Sequence, residues 1–118
     1  MANPDSVPAG RYAKRALTSL GVWTTVEKQV ARADNVRAAL ALVSRGETPF
    51  GIVYRTDALA DKGVRIVDTV PSSSHPVIAY PVARVTGGQS AAAKPLLAYL
   101  RSATARGIWA KYGFGLAQ

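Results

Sequence analysis

Apolar residues recur at helical spacing through the first twenty positions and later give way to short unbroken apolar runs. Amphipathic helices therefore alternate with strand-like segments. Tyr12, Ala13, Ala16, Leu17 and Leu20 share one helical face and predict a helix over 6–20, with Asp5 or Ser6 as cap, Pro8 in the first turn and Gly21 as the stop. A shorter amphipathic piece follows over 22–30, with Trp23 and Val26 turned inward. Val36, Ala39, Leu40 and Val43 predict a helix over 35–45, capped by Asp34 or Asn35 and ended by Gly46.

Phe50-Gly51-Ile52-Val53-Tyr54 is apolar without alternation, which suits a strand covered on both faces. A short helix is expected over 56–60 and a second strand over 64–68. Pro71-Ser72-Ser73-Ser74-His75-Pro76 reads as a loop. A third strand spans 77–85, and Pro81 within it implies an edge, a bulge or a crossing between domains. Thr86-Gly87-Gly88-Gln89 breaks the chain, and two helices, 90–102 and 103–112, follow. Pro95 requires the first of these to start late or to bend. Strands separated by helices define an α/β class with at least part of a parallel sheet. Residues 1–3 are all that stands where a buried strand would lead into the first helix, so the chain is expected to be a fragment of a longer protein.

The 118 residues suit one domain, and 48% hydrophobic against 19% charged residues is a globular balance. Fifteen Lys and Arg against seven Asp and Glu give a net charge of +8. That charge raises nucleic acid as a partner, but the basic residues are dispersed, and neither aromatic interleaving nor a recognition helix accompanies them. With no cysteine, disulfides and thiolate chemistry are excluded. No apolar run approaches the ~18 residues of a membrane span, and residues 1–5 contain no export signal.

Enzymatic arrangements find little support. His75 is the single histidine; Ser72, Ser73 and Ser74 adjoin it on one loop, where a Ser-His-acid geometry rarely forms, and no nucleophile elbow is present. Asp5, Asp34, Asp57 and Asp61 read as caps and surface charges, and Gly87-Gly88 as a turn. The chain is therefore not expected to be an enzyme. The helix starts at 8–10 and 35–37 are different, because a helix start presents backbone N–H groups to which an anion can bind. Both helices would pack their apolar faces on one sheet, which brings both starts to the edge where ligands of α/β proteins collect. Tyr54 closes the strand 50–54 at such an edge.

The segments Asn3-Pro4-Asp5-Ser6-Val7-Pro8-Ala9-Gly10-Arg11-Tyr12-Ala13-Lys14, Asn35-Val36-Arg37-Ala38-Ala39-Leu40-Ala41-Leu42-Val43, Gly51-Ile52-Val53-Tyr54-Arg55-Thr56-Asp57-Ala58 and Tyr112-Gly113-Phe114 carry a resemblance. With the Ser-His-Pro loop followed by Tyr80-Pro81-Val82-Ala83, they resemble the molybdate-binding periplasmic proteins of ABC importers, over essentially the whole chain.

The resemblance implies a partial type II periplasmic binding protein fold: a three-layer αβα lobe with a mostly parallel sheet, plus C-terminal helices. Residues 1–85 would form the second, ligand-binding lobe without its first strands, and 86–118 a helical segment packing on a first lobe. It further implies a tetrahedral oxyanion, molybdate or tungstate, held by neutral donors: the backbone N–H groups of Ala9 and Val36 and the hydroxyl of Tyr54. The family's serines on the other lobe have no counterpart here. No cofactor is implied. The partner of the intact protein would be the importer's membrane permease, and its location the periplasm. Apolar faces left without cover would favour a homodimer or swapped dimer.

Overall fold

Val7, in extended conformation, leads into helix α1 (Pro8–Ser19) without any side-chain cap. Pro8 occupies the first helical position, where its missing N–H costs nothing. Neither Asp5 nor Ser6 caps: Asp5 is instead paired with Lys14 at 3.1 Å and Arg32 at 2.8 Å. Gly21, at φ 73°, ends α1 in a left-handed turn, with its N–H on the Thr18 carbonyl and the Val22 N–H on that of Leu17. The computed structural model describes residues 1–88 and 90–115. Gln89, part of the expected break, and residues 116–118 lie outside the described residues.

Helix α2 (Trp23–Val26) and a 3₁₀ turn (Glu27–Gln29) follow where one amphipathic piece was expected. Trp23 is buried, and the Lys14 ammonium stands 5.2 Å from its ring centroid. Helix α3 (Val36–Ser44) is capped by Asn35 rather than Asp34: the Asn35 side chain accepts from the Ala38 N–H at 2.9 Å. Helix α4 (Arg55–Ala60) starts directly after Tyr54. A 3₁₀ turn (Ser72–Ser74) sits in the Ser-rich loop and packs against α1. Pro95 falls in the first turn of α5 (Ala93–Leu100), which starts late, as Pro95 requires. Helix α6 (Ala103–Lys111) is capped by Ser102.

The expected strands over 50–54, 64–68 and 77–85 are corrected by the structure. Among the described residues these runs form no ladder, and the pairing of strand type is a single parallel bridge between Ala2 and Ala33. Apolar composition prepares a segment for a sheet, but a strand exists only beside a neighbour that accepts its backbone hydrogen bonds. Pro81 also lacks the N–H that a central ladder needs.

The chain divides into two compact units, Met1–Val77 and Ile78–Gln118. The first is centred on small residues: Ala2, Ala9, Ala13, Ala16, Ala33 and Ala39 are buried together with Trp23 and Leu40. Small side chains let helices approach the backbone closely. The second unit pairs α5 with α6. There the Trp109 indole N–H donates to the Leu100 carbonyl, and Phe114 meets both Trp109 and Tyr80 edge-on.

Candidate functional site

The parallel bridge brings the starts of α1 and α3 together. The Asn3 N–H donates to the Ala33 carbonyl at 2.8 Å, and the Ala33 N–H to the Met1 carbonyl at 3.1 Å. Each of these parallel segments then runs from its carboxyl end into a helix, one through Asn3 to α1 and the other through Ala33 to α3. Both helix starts consequently lie on the carboxyl side of the same pairing. The Arg32–Asp5 ion pair joins the two connections a second time.

Gly10 fastens α1 further. A Cβ on Gly10 would collide with the carbonyls of both Ala2 and Asn3, so only glycine permits this approach of helix to backbone. In the first turn of α1 the Arg11 N–H is used by the Val7 carbonyl, whereas the N–H groups of Ala9 and Gly10 have no acceptor among the described residues. In α3 the Ala38 N–H is taken by Asn35, and those of Val36 and Arg37 have no acceptor among the described residues. Two pairs of unspent donors thus stand at the two helix starts. Ala9 is buried and Val36 half-buried.

Tyr54 joins this end of the unit through α4. Its carbonyl accepts from the N–H groups of Asp57 and Ala58, each at 3.1 Å, which opens α4, and its ring is half-buried. Helices α3 and α4 lie alongside with the same polarity. Arg37 and Asp57 meet at 3.8 Å in their first turns, and at their far ends the Ser44 hydroxyl donates to Asp61 at 3.1 Å. Tyr54 and Val36 therefore start neighbouring helices at matching ends. The groove between these helices, about 490 Å³, is lined by Arg37, Leu40, Asp57 and Asp61 among others. Ala9, Val36 and Tyr54 do not line it.

The carboxylates expected as caps and surface charges have specific partners. The Lys14 ammonium, bonded to Asp5 and reinforced by Arg32, holds the Asp5 carboxyl below its usual range. Asp61 also accepts from the Gly63 N–H at 2.8 Å. In the Ser-rich loop the Ser74 hydroxyl donates to the Pro71 carbonyl at 2.6 Å, and His75 Nδ1 lies 2.8 Å from the Pro76 carbonyl with its ring against Tyr12. These groups serve their own turn rather than each other. Among the described residues no cluster of His, Asp or Glu could hold a metal ion.

Sequence reasoning missed the close approaches made by Gly10, Gly51 and Gly63. A Cβ on Gly51 would come within 2.7 Å of Val43 Cγ2, and one on Gly63 would strike the Ser44 hydroxyl oxygen. A signal was available for Gly51 alone, a glycine embedded in the apolar run 50–54, which marks a neighbouring element at close range.

Residues 1–115 match the family described as bacterial extracellular solute-binding proteins. The chain belongs to that family. Among curated solute-binding relatives, it is 50% identical over 112 residues to the molybdate-binding protein ModA of Escherichia coli K12 and 46% identical over 112 residues to that of Haemophilus influenzae. Each alignment covers 95% of this chain and 44% of the relative, so the chain spans less than half the length of these relatives. A solved structure described provisionally as the substrate-binding domain of a molybdenum ABC transporter from Clostridium difficile superposes with a TM-score of 0.86 at 28% identity. That match covers 99% of this chain and 52% of the other. The chain thus follows the backbone course of a substrate-binding domain, and its relatives are named as binding proteins.

Proposed function

We propose that this chain is one lobe of the substrate-binding component of a molybdate or tungstate ABC importer, holding the oxyanion through the N–H groups of Ala9 and Val36 and the hydroxyl of Tyr54. The observation that carries the reading is the pair of helix starts on the carboxyl side of the Ala2–Ala33 bridge, each with unspent donors. The names of the relatives supply the ligand class. In the periplasm the intact receptor would deliver its oxyanion to a membrane permease. Residues 1–85 would serve as the ligand-binding lobe and 86–118 as helices that pack on the other lobe.

The physical logic is electrostatic. A hydrogen bond to a charged group contributes about 1.5–3 kcal/mol, and each helix dipole about 0.3–1 kcal/mol. Association entropy offsets most of what three donors supply, so one lobe alone should bind with a dissociation constant on the order of 1 mM. Neutral donors favour a fully ionised anion, because they offer no acceptor to a protonated ligand.

Calorimetric titration of inorganic molybdate into the chain tests this, with sulfate as the control. Weak saturable binding of molybdate is expected, and weaker binding of sulfate, an equally charged but smaller dianion that meets the same donors at longer range. Absence of molybdate binding at millimolar concentration would remove the reading.

A second reading, self-association without ligand, is favoured by the exposure of Phe50 (75%) and Val77 (87%). Light scattering behind size exclusion distinguishes it, since this reading requires the mass to rise with concentration.

A further inference from the structure

We infer that Gly10 is a positioning residue for the oxyanion: its lack of a side chain lets the first turn of α1 sit on the carbonyls of Ala2 and Asn3, and that seat fixes the N–H of the adjoining Ala9. The inference rests on the receptor reading above. Gly10 is the third residue of α1, and its backbone there is ordinary right-handed helix that any residue adopts. Glycine weakens a helix, so what it supplies at this position is space. A Cβ would run into both carbonyl oxygens, which are backbone atoms and not the tip of a flexible side chain. Ala2, Ala9 and Gly10 are all buried, so the seat is closed to water.

The segment beneath the seat is held from its other side. The Asn3 N–H donates to the Ala33 carbonyl at 2.8 Å and the Ala33 N–H to the Met1 carbonyl at 3.1 Å, so residues 1–3 are bonded to the connection that leads into α3. The Asn3 carbonyl also accepts from the Val7 N–H at 3.0 Å, immediately before α1. A Cβ on residue 10 is therefore absorbed by the first turn of α1 backing away from this segment. Ala9, the preceding residue, travels with it, whereas Val36 and Tyr54 belong to the starts of α3 and α4 and stay in place. The loss falls on one donor out of three.

The test compares the wild-type chain with Gly10→Ala and with Gly51→Ala, whose Cβ would come within 2.7 Å of Val43 Cγ2 near the end of α3, away from the seat. Calorimetry with inorganic molybdate reads affinity, and nitrogen–proton NMR spectra follow the Ala9 and Val36 amides through the titration. Both variants should lose stability. Gly10→Ala alone should bind about tenfold more weakly, the loss of one hydrogen bond to a charged ligand. Its Ala9 amide should no longer shift on adding molybdate, while the Val36 amide still does. Wild-type affinity in Gly10→Ala would overturn the seat alone; so would an equal loss in Gly51→Ala, because general destabilisation would then be at issue. Should Gly10→Ala not fold, hydrogen exchange of the wild-type chain decides. Molybdate at ten times its dissociation constant should slow exchange of the Asn3 and Val7 N–H groups about tenfold and leave Arg45, at the far end of α3, unchanged. No slowing at Asn3 and Val7 would overturn the seat. A wild-type chain that takes up no molybdate would overturn the receptor reading, and the seat with it.

Discussion

The Asn3 N–H donates to the Ala33 carbonyl at 2.8 Å, and this bond ties together the two connections that lead into α1 and α3. Thirty residues separate them in sequence. Without that pairing the two helix starts would have no reason to share an edge. With it, their unspent N–H groups lie on one side of one bridge.

Gly10 is the residue on which that arrangement is most sensitive. In most helices Gly→Ala is stabilising by about 1 kcal/mol, and Gly107, inside α6 with nothing within 4 Å of a new Cβ, should behave so. Gly10→Ala should instead destabilise by about 1–3 kcal/mol, because its Cβ meets the carbonyls of Ala2 and Asn3. Urea unfolding of the two variants checks the opposite signs.

The cap of α3 provides a second contrast. Asn35→Ala removes the acceptor of the Ala38 N–H and should cost about 1 kcal/mol. Asp34→Ala removes no cap and should change stability by less than about 0.5 kcal/mol. Equal costs in chemical denaturation would contradict the capping assignment.

Tyr54→Phe deletes a hydroxyl while keeping the half-buried ring. Molybdate binding should fall about tenfold or more, while the circular dichroism spectrum stays as in the wild type. Unchanged affinity by calorimetry would remove Tyr54 from the donor set.

Asp5 supplies the acid dependence. Its folded-state pKa is lowered, first by the Lys14 hydrogen bond and then by the charges of Lys14 and Arg32. The unfolded chain therefore holds this proton more tightly, and stability rises with pH through the carboxylate range. The contribution is complete above the unfolded value of about 4 and disappears as pH falls through the lower folded one. The difference in melting temperature between wild type and Asp5→Asn should accordingly be seen at pH 6 and shrink on acidification toward pH 2. A difference that persists at low pH would exclude this pair as its origin.

Much of this architecture was legible from residues and spacing. Helical periodicity located α1, α3 and α6, and Gly21 and Gly46 marked the ends of α1 and α3 because left-handed backbone favours glycine. Pro95 announced the late start of α5. Ala9, Val36 and Tyr54 are expected donors from family resemblance alone; the structure puts Ala9 in the first turn of α1, Val36 at the start of α3 and Tyr54 just before α4. The expected strands are absent among the described residues for a physical reason: residues 50–54 have the composition of a buried strand, yet a ladder depends on a neighbour, which composition cannot supply. Asp5 offers itself as a cap because it stands close to α1 in sequence, whereas Arg32, its partner, is 27 residues away.

Local chemistry, read along the chain, was sufficient for which segments coil into helices and where they stop, since those preferences act within one or two turns. It was insufficient for whatever depends on contact between distant segments. The parallel register of Ala2 with Ala33, the seat of Gly10 on two carbonyls and the gap between Gly51 and Val43 arise only when folding closes the loops between them. Close packing of small residues then converts those contacts into fixed distances, and the first two are what an oxyanion would sense.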